Sequence, residues 1–260
     1  MKLLTILLAS LFLHFNAIST ELIYIDYQHR PPFFENNLST NKIESGILYK
    51  LSKRILDKTK INVEFIETPL PRTITKMKEK KERVCISYAL FDAARKEFGN
   101  YSNPYYKEKR NVIVFRKKDK RFKNNKSIKD LLKNEPVSFL VKRGYSYGAY
   151  VDDILQKFKN YDRNDNYNNE SLFNNLFITY LDNAGMLKQI EMSRSDYMLI
   201  SLTEYEYLEN QYKSITKNLS YRFISDMPEG NKRYFLCSKN IEEETIEVIN
   251  KAIKSTVGKI

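Results

Sequence analysis

The run from Leu22 to Ala89 decides the fold: Leu22-Ile23-Tyr24-Ile25-Asp26, then Ile61-Asn62-Val63-Glu64-Phe65, then Arg83-Val84-Cys85-Ile86-Ser87-Tyr88-Ala89. The first segment is apolar on both faces and reads as a strand covered from both sides. Ile61, Val63 and Phe65 alternate as a second strand, and the third carries Cys85. Between the first two, Gly46 precedes Ile47, Leu48, Leu51 and Ile55 at helical spacing. Between the second and third, Pro69 and Pro71 open a basic helix to about Lys80, because proline is tolerated only in a helix's first turn. This β-α-β-α-β order predicts an α/β fold with a mainly parallel sheet and helices on both faces.

Downstream the same alternation starts again. Asn111 to Phe115 is a β-prone run, and a charged stretch and a short helix from Ser127 follow it. Val137 to Val141, Leu176 to Tyr180 and Tyr197 to Ile200 read as strands. Helices are expected from Ser146 to about Phe158, from an Asp182 cap to Met192, and after Thr203-Glu204-Tyr205-Glu206, which has capping-box form. The polar segment from Asn160 to Asn169 reads as a surface loop. Tyr234 to Cys237 is a last strand, and Ile246, Ile249, Ile253 and Val257 mark a final helix ending at Gly258. Two α/β halves are therefore expected, joined by crossings near Asn111 and near Tyr234. The first takes residues 20–110 and 236–260, the second 111–235. In such a chain the cleft between the halves is the default ligand pocket.

Met1-Lys2 followed by the apolar run Leu3 to Phe15 matches a secretory signal peptide over residues 1–19, with cleavage after Ser19. A dozen apolar residues are short for a membrane span, which needs about 20. No cysteine follows the run to carry a lipid anchor, so a periplasmic or secreted chain is expected. Export makes a disulfide the default for Cys85 and Cys237, the alternative being two buried thiols.

Composition narrows the function classes. Hydrophobic residues at 42% argue against global disorder. Two cysteines and two histidines are too few for a zinc or iron–sulfur centre built from them, so no metal and no cofactor is expected. The net charge of +12 raises nucleic acid as a partner. No helix interleaves a basic stripe with aromatics, and the densest run, Lys117 to Lys123, reads as a solvated loop, so none is expected.

Asp92-Ala93-Ala94-Arg95, Phe98, Tyr101-Ser102, Pro104-Tyr105-Tyr106 and Val112-Ile113-Val114-Phe115 form an ordered set. It resembles the signature of the bacterial extracellular solute-binding proteins of family 3, the amino-acid class. Lys142-Arg143-Gly144-Tyr145-Ser146-Tyr147-Gly148 is similar to that family's second-lobe loop. Arg194-Ser195-Asp196 with Tyr197-Met198-Leu199-Ile200 resembles its glycine-arginine-x-aspartate motif and following strand. The resemblance implies a type II periplasmic-binding fold in which two lobes close over a small ligand. It also implies a monomer that serves an inner-membrane ABC permease or a membrane sensor.

Carried over by position, the resemblance makes Arg95 the arginine that grips a ligand carboxylate, a task suited to the guanidinium fork. The alternative is a surface arginine capping the turn from Asp92. The N–H groups around Ser146 and Tyr147 lie at an expected helix start, which favours anions. Tyr27, Phe33 and Phe34 follow the first strand where the family stacks an aromatic on its ligand, core packing being the alternative. Arg72 either lines the cleft or sits on a solvated helix face. The family's serine-x-threonine loop is replaced by Ser87-Tyr88-Ala89-Leu90-Phe91, placing Tyr88 at the site. The acidic residue that holds a ligand α-amine is replaced by Ser201, with Glu204 three residues on. Both departures weigh against an ordinary α-amino acid. An enzyme on the same fold would have to use Asp26, His29 and Glu204 as its titratable groups. In the family topology the returning strand lies beside the third strand, which implies that Cys85 and Cys237 are neighbours.

Overall fold

The computed structural model describes residues 21–122, 127–133, 136–159, 161 and 175–260. The segment expected to be a signal peptide and all but the edge of the polar 160–169 segment lie outside the described residues. The first half runs β1 (Ile23–Tyr27), a small hairpin of β2 (Glu35–Asn36) and β3 (Ile43–Ser45), α1 (Ile47–Leu56), β4 (Val63–Glu67), α2 (Leu70–Glu79) and β5 (Val84–Ala89). A 3-10 turn at Ala93–Glu97 leads to the short strands β6 (Gly99–Tyr101) and β7 (Tyr106–Lys107). The second half runs β8 (Asn111–Arg116), α3 (Ile128–Lys133), β9 (Phe139–Lys142), α4 (Ala149–Lys159), β10 (Leu176–Thr179) and α5 (Asn183–Glu191). It continues through β11 (Tyr197–Ser201), α6 (Leu202–Gln211), α7 (Lys213–Thr216) and β12 (Leu219–Phe223). The chain then returns as β13 (Lys232–Ser238) and ends in α8 (Glu243–Val257).

Two sheets result. The first has the order β4-β1-β5-β13-β6, with β7 on β13, and the second β10-β9-β11-β8-β12. β1 is parallel to β4 and β5, and β9 is parallel to β10 and β11, as the alternating pattern predicts. Both sheets are nevertheless mixed. β13 is antiparallel to β5 and β6, and β8 is antiparallel to β11 and β12. The antiparallel members are the strands that carry the chain between halves, which enter each sheet without a crossover helix. All six residues of β5 are buried, as a strand covered on both faces requires. One apolar cluster fills the first half; in the second, Ile113, Phe115 and Tyr197 pack on one side of the sheet and Val112, Val114 and Met198 on the other.

Some local expectations shift. The Thr203 box does not cap α6. β11 runs directly into that helix, with Ser201 at its N-cap, and the Leu202 N–H donates to the Arg110 carbonyl across the junction. α4 begins at Ala149 rather than Ser146, because Asp152 folds back to accept the Tyr147 N–H at 2.9 Å and bonds the Ser146 hydroxyl. Cys85 and Cys237 form a disulfide and face each other in the β5–β13 register, their Cα atoms 4.0 Å apart.

The two chain crossings lie side by side. The Tyr105 N–H donates to the Arg233 carbonyl and the Glu108 N–H to the Asn231 carbonyl, each at 2.9 Å. Gly230, with φ +82°, lets the return segment pass so close to Glu108 that any Cβ there would meet its carbonyl.

Candidate ligand-binding cleft

Two small adjoining cavities, of about 30 and 20 Å³, lie where the C-terminal ends of the strands of the two halves meet. Arg30, Leu90, Tyr145, Ser146 and Arg233 line both, so they are parts of one cleft. The larger part adds Glu108, Lys142, Asn183, Ser201 and Glu204; the smaller adds Leu70, Tyr88 and Arg95.

Arg30 comes from the loop after β1, which the Phe33 and Phe34 N–H groups close onto its carbonyl. Its Nε and Nη2 donate to the two oxygens of Glu204, each at 2.6 Å, in a forked pair. Glu204 is fully buried in the first turn of α6 and also accepts from Asn183 Nδ2 at 2.7 Å. Burial alone would lower the Arg30 guanidinium, but the facing Glu204 carboxylate outweighs it and holds Arg30 above the ordinary arginine value. The guanidinium lies 5.4 Å from the ring centroids of both Phe33 and Tyr145. Tyr145 in turn donates its hydroxyl to Gln28 at 2.6 Å. Both contacts join the loop after β1 to the second half, so the cleft is bridged across its width.

A second guanidinium forms the floor. Arg233, at the start of β13, donates to Glu108 at 2.6 Å and to the Tyr88 carbonyl at 2.8 Å, while its Nε–H is buried with no hydrogen-bond partner. Both Arg233 and Glu108 are buried, so their pairing is obligatory: either charge alone would cost several kcal/mol of desolvation.

Arg95 is buried on the 3-10 turn, with Asp92 3.5 Å away and Asp92 capping the Ala94 N–H at 3.0 Å. The expected alternatives therefore merge: Arg95 belongs to the Asp92 turn and also lines the cleft. Tyr88 lines the same cavity, and burial pushes its phenol well above the ordinary tyrosine value, so it stays a neutral hydroxyl. Ser146, Tyr147 and Ser201 line the larger cavity. The Tyr147 and Gly148 N–H groups expected to be open to an anion already donate to Asp152 and to the Ser146 hydroxyl. Ser201 Oγ is buried without a partner.

Tyr27, Phe33 and Arg72 line neither cavity, a correction to their expected place. Tyr27 stacks on Phe34 within the core, because β1 ends there and its side chain turns inward. Phe33 packs edge-on to Tyr106 and supports Arg30. Arg72 sits on the exposed face of α2. The titratable trio also fails to converge. Asp26 is buried beneath Thr73, the His29 Nδ1 accepts the Asn36 N–H in an outer cavity, and Glu204 is paired with Arg30. Sequence reasoning missed Arg30, Glu108, Lys142, Asn183 and Arg233 as site residues. The one available signal was an arginine inside the aromatic loop after the first strand.

The family model described as bacterial extracellular solute-binding proteins, family 3, matches residues 23–257. Among solved structures, an ancestral arginine-binding protein bound to arginine is 17% identical, with 90% of each chain covered and a TM-score of 0.64. A structure concerned with glutathione import in Gram-positive bacteria and the cystine ABC importer of Streptococcus mutans is 18% identical over 90% of this chain and 87% of the other, with a TM-score of 0.67. A histidine kinase sensor domain with similarity to periplasmic binding proteins is 13% identical over 90% and 89%, also at 0.67. No curated protein sequence matches the chain. At these identities the structural likeness speaks for the fold, two lobes of the type II periplasmic-binding kind.

Proposed function

The chain belongs to the bacterial extracellular solute-binding proteins, family 3, and from that premise we propose that it captures a small polar or anionic ligand between its two lobes. In this reading it is an exported, non-catalytic, monomeric protein of the periplasm or cell exterior that delivers the ligand to an inner-membrane ABC permease. The lobes take residues 20–110 with 236–260 and residues 111–235. Tyr88, Arg95, Ser146, Tyr147 and Ser201 contact the ligand. The observation that carries the reading is the cleft itself: both halves line it, and Arg30, Arg95, Arg233 and Lys142 outnumber Glu108 and Glu204. A cleft lined by an excess of positive charge concentrates anions.

A thermal-shift screen of the mature chain against amino acids, organic acids, short peptides and sugars tests it. A ligand at 100 times its Kd stabilises the native state by about 2.7 kcal/mol. A shift from at least one class, with the compound recovered unchanged, is expected; no shift from any class would overturn the reading. One observation favours a second role: the fold is shared with a histidine kinase sensor domain. Co-purification of a permease or of a receptor with the liganded protein decides between them.

A further inference from the structure

The pairing of charges in the cleft bears on the ligand's chemical class. Two carboxylates line it, Glu108 and Glu204, and both are buried. Each already faces a guanidinium built into the chain at 2.6 Å: Arg233 for Glu108 and the full fork of Arg30 for Glu204. Glu204 takes a third donor from Asn183. Five further carboxylates stand near the cleft without lining it: Asp152 bonded to the Ser146 hydroxyl, Asp92 beside Arg95, Asp26 bonded to Thr73, and Glu35 and Asp182 in the outer cavity. The last two are also engaged, Glu35 by the Ser45 hydroxyl and Asp182 by the Gly185 N–H. A ligand ammonium entering this cleft would leave water and meet no unneutralised acceptor, which is the expensive case for a buried charge.

Donors are in the opposite state. Arg233 Nε and Ser201 Oγ are buried with no hydrogen-bond partner, and both residues line the larger cavity. Lys142 lines it too, with its ammonium 4.5 Å from the Tyr145 ring centroid and no ion-pair partner among the described residues. The larger cavity thus offers an unpartnered guanidinium N–H, a hydroxyl and an ammonium, while both of its carboxylates are already paired.

We propose that the ligand is a small carboxylic acid without an ammonium group, and that Arg30 sets this specificity by occupying Glu204. The proposal rests on the solute-binding reading and deepens it. Arg30 is fixed in this role by its own surroundings: Phe33 beneath it, Tyr145 beside it, and a loop closed by two backbone hydrogen bonds to its carbonyl. It acts as an internal cation that no amine-bearing ligand displaces without leaving a guanidinium unpaired.

The test is calorimetric titration with matched acids that differ only in the amine: succinate against aspartate, glutarate against glutamate, propionate against alanine. The amine-free member of at least one pair is expected to bind tenfold tighter or better. Arg30→Ala frees Glu204 and should erase or reverse that preference, whereas Glu204→Gln should keep it. Should Arg30→Ala fail to fold, the wild-type pairs decide alone. An amino acid that binds as tightly as its amine-free partner overturns the proposal. Silence of every carboxylate while a sugar or neutral peptide binds also overturns it but leaves the binding-protein reading standing; silence across the whole screen removes both.

Discussion

Arg95 is buried although its neighbours Lys96 and Glu97 are exposed, so the turn around it carries one side chain inward. Charge-assisted hydrogen bonds of an inward guanidinium to a ligand anion are each worth about 1.5–3 kcal/mol. Arg95→Ala is accordingly expected to weaken the best ligand from the screen at least tenfold with unchanged circular dichroism; unchanged affinity would remove Arg95 from the site. Asp26 gives a second test, with a different sign from the usual carboxylate. Burial is the largest influence on it and raises its pKa above 3.8, against the Thr73 hydrogen bond and Lys76 at 3.7 Å. The folded state thus holds this proton more tightly than the unfolded chain. The resulting stability is fully present below about 3.8 and is lost as pH rises through the raised value. The Tm of Asp26→Asn minus that of the native protein should therefore fall between pH 7 and pH 4, and a rise would contradict it. At this scale the family-like motifs and their departures pointed to Arg95, Tyr88, Ser146 and Ser201, all of which line the cleft. Arg30 and Arg233 were not legible, because their partners lie 174 and 125 positions away and a lone arginine in a loop carries no period.

Among elements, strands with a long apolar run were readable: β1, β5, β8 and β11 all lie where alternation or continuous burial places them. β6 and β7, of three and two residues, were hidden because such lengths hold no periodicity. β12 was hidden for another reason. Leu219, Tyr221 and Phe223 alternate with Ser220 and Arg222 and share one face, but only Leu219 on that face is buried, Tyr221 and Phe223 being exposed. Its identity as a strand comes from pairing with β8, a long-range contact. The crossing at Gly230 is a further element-level feature without a pattern signal. There φ +82° and the nearby Glu108 carbonyl both demand glycine. Gly230→Ala is expected to destabilise the fold by about 1–3 kcal/mol in denaturant melts. A change below about 0.5 kcal/mol would show that the two crossings tolerate separation. The cost should fall on stability first, since Gly230 lines neither part of the cleft.

For the whole molecule, the first half is made of two chain segments separated by the entire second half, and one covalent bond joins them. Cys85 on β5 and Cys237 on β13 are 152 positions apart. By chain-entropy reasoning a loop of that size restricts the unfolded chain enough to stabilise the fold by about 5 kcal/mol, an upper figure where native geometry resists the bond. Both cysteines sit in the apolar cluster of the first half and line neither cavity of the cleft. The bond therefore holds the two segments of one half together, whereas the Arg233–Glu108 pair at the crossings and the Arg30–Glu204 fork across the cleft join the two halves. Stability and binding should separate on this account. Reduction, or the Cys85→Ser/Cys237→Ser double variant, is expected to lower the Tm and the denaturant midpoint substantially. Affinity for the best ligand, measured well below the new Tm, should stay within about threefold. Thiol titration of the denatured, unreduced exported protein should find no free cysteine. Two titratable thiols would show that the bond does not form in the purified protein, and a large loss of affinity with little loss of stability would show that the bond shapes the cleft rather than the half that contains it.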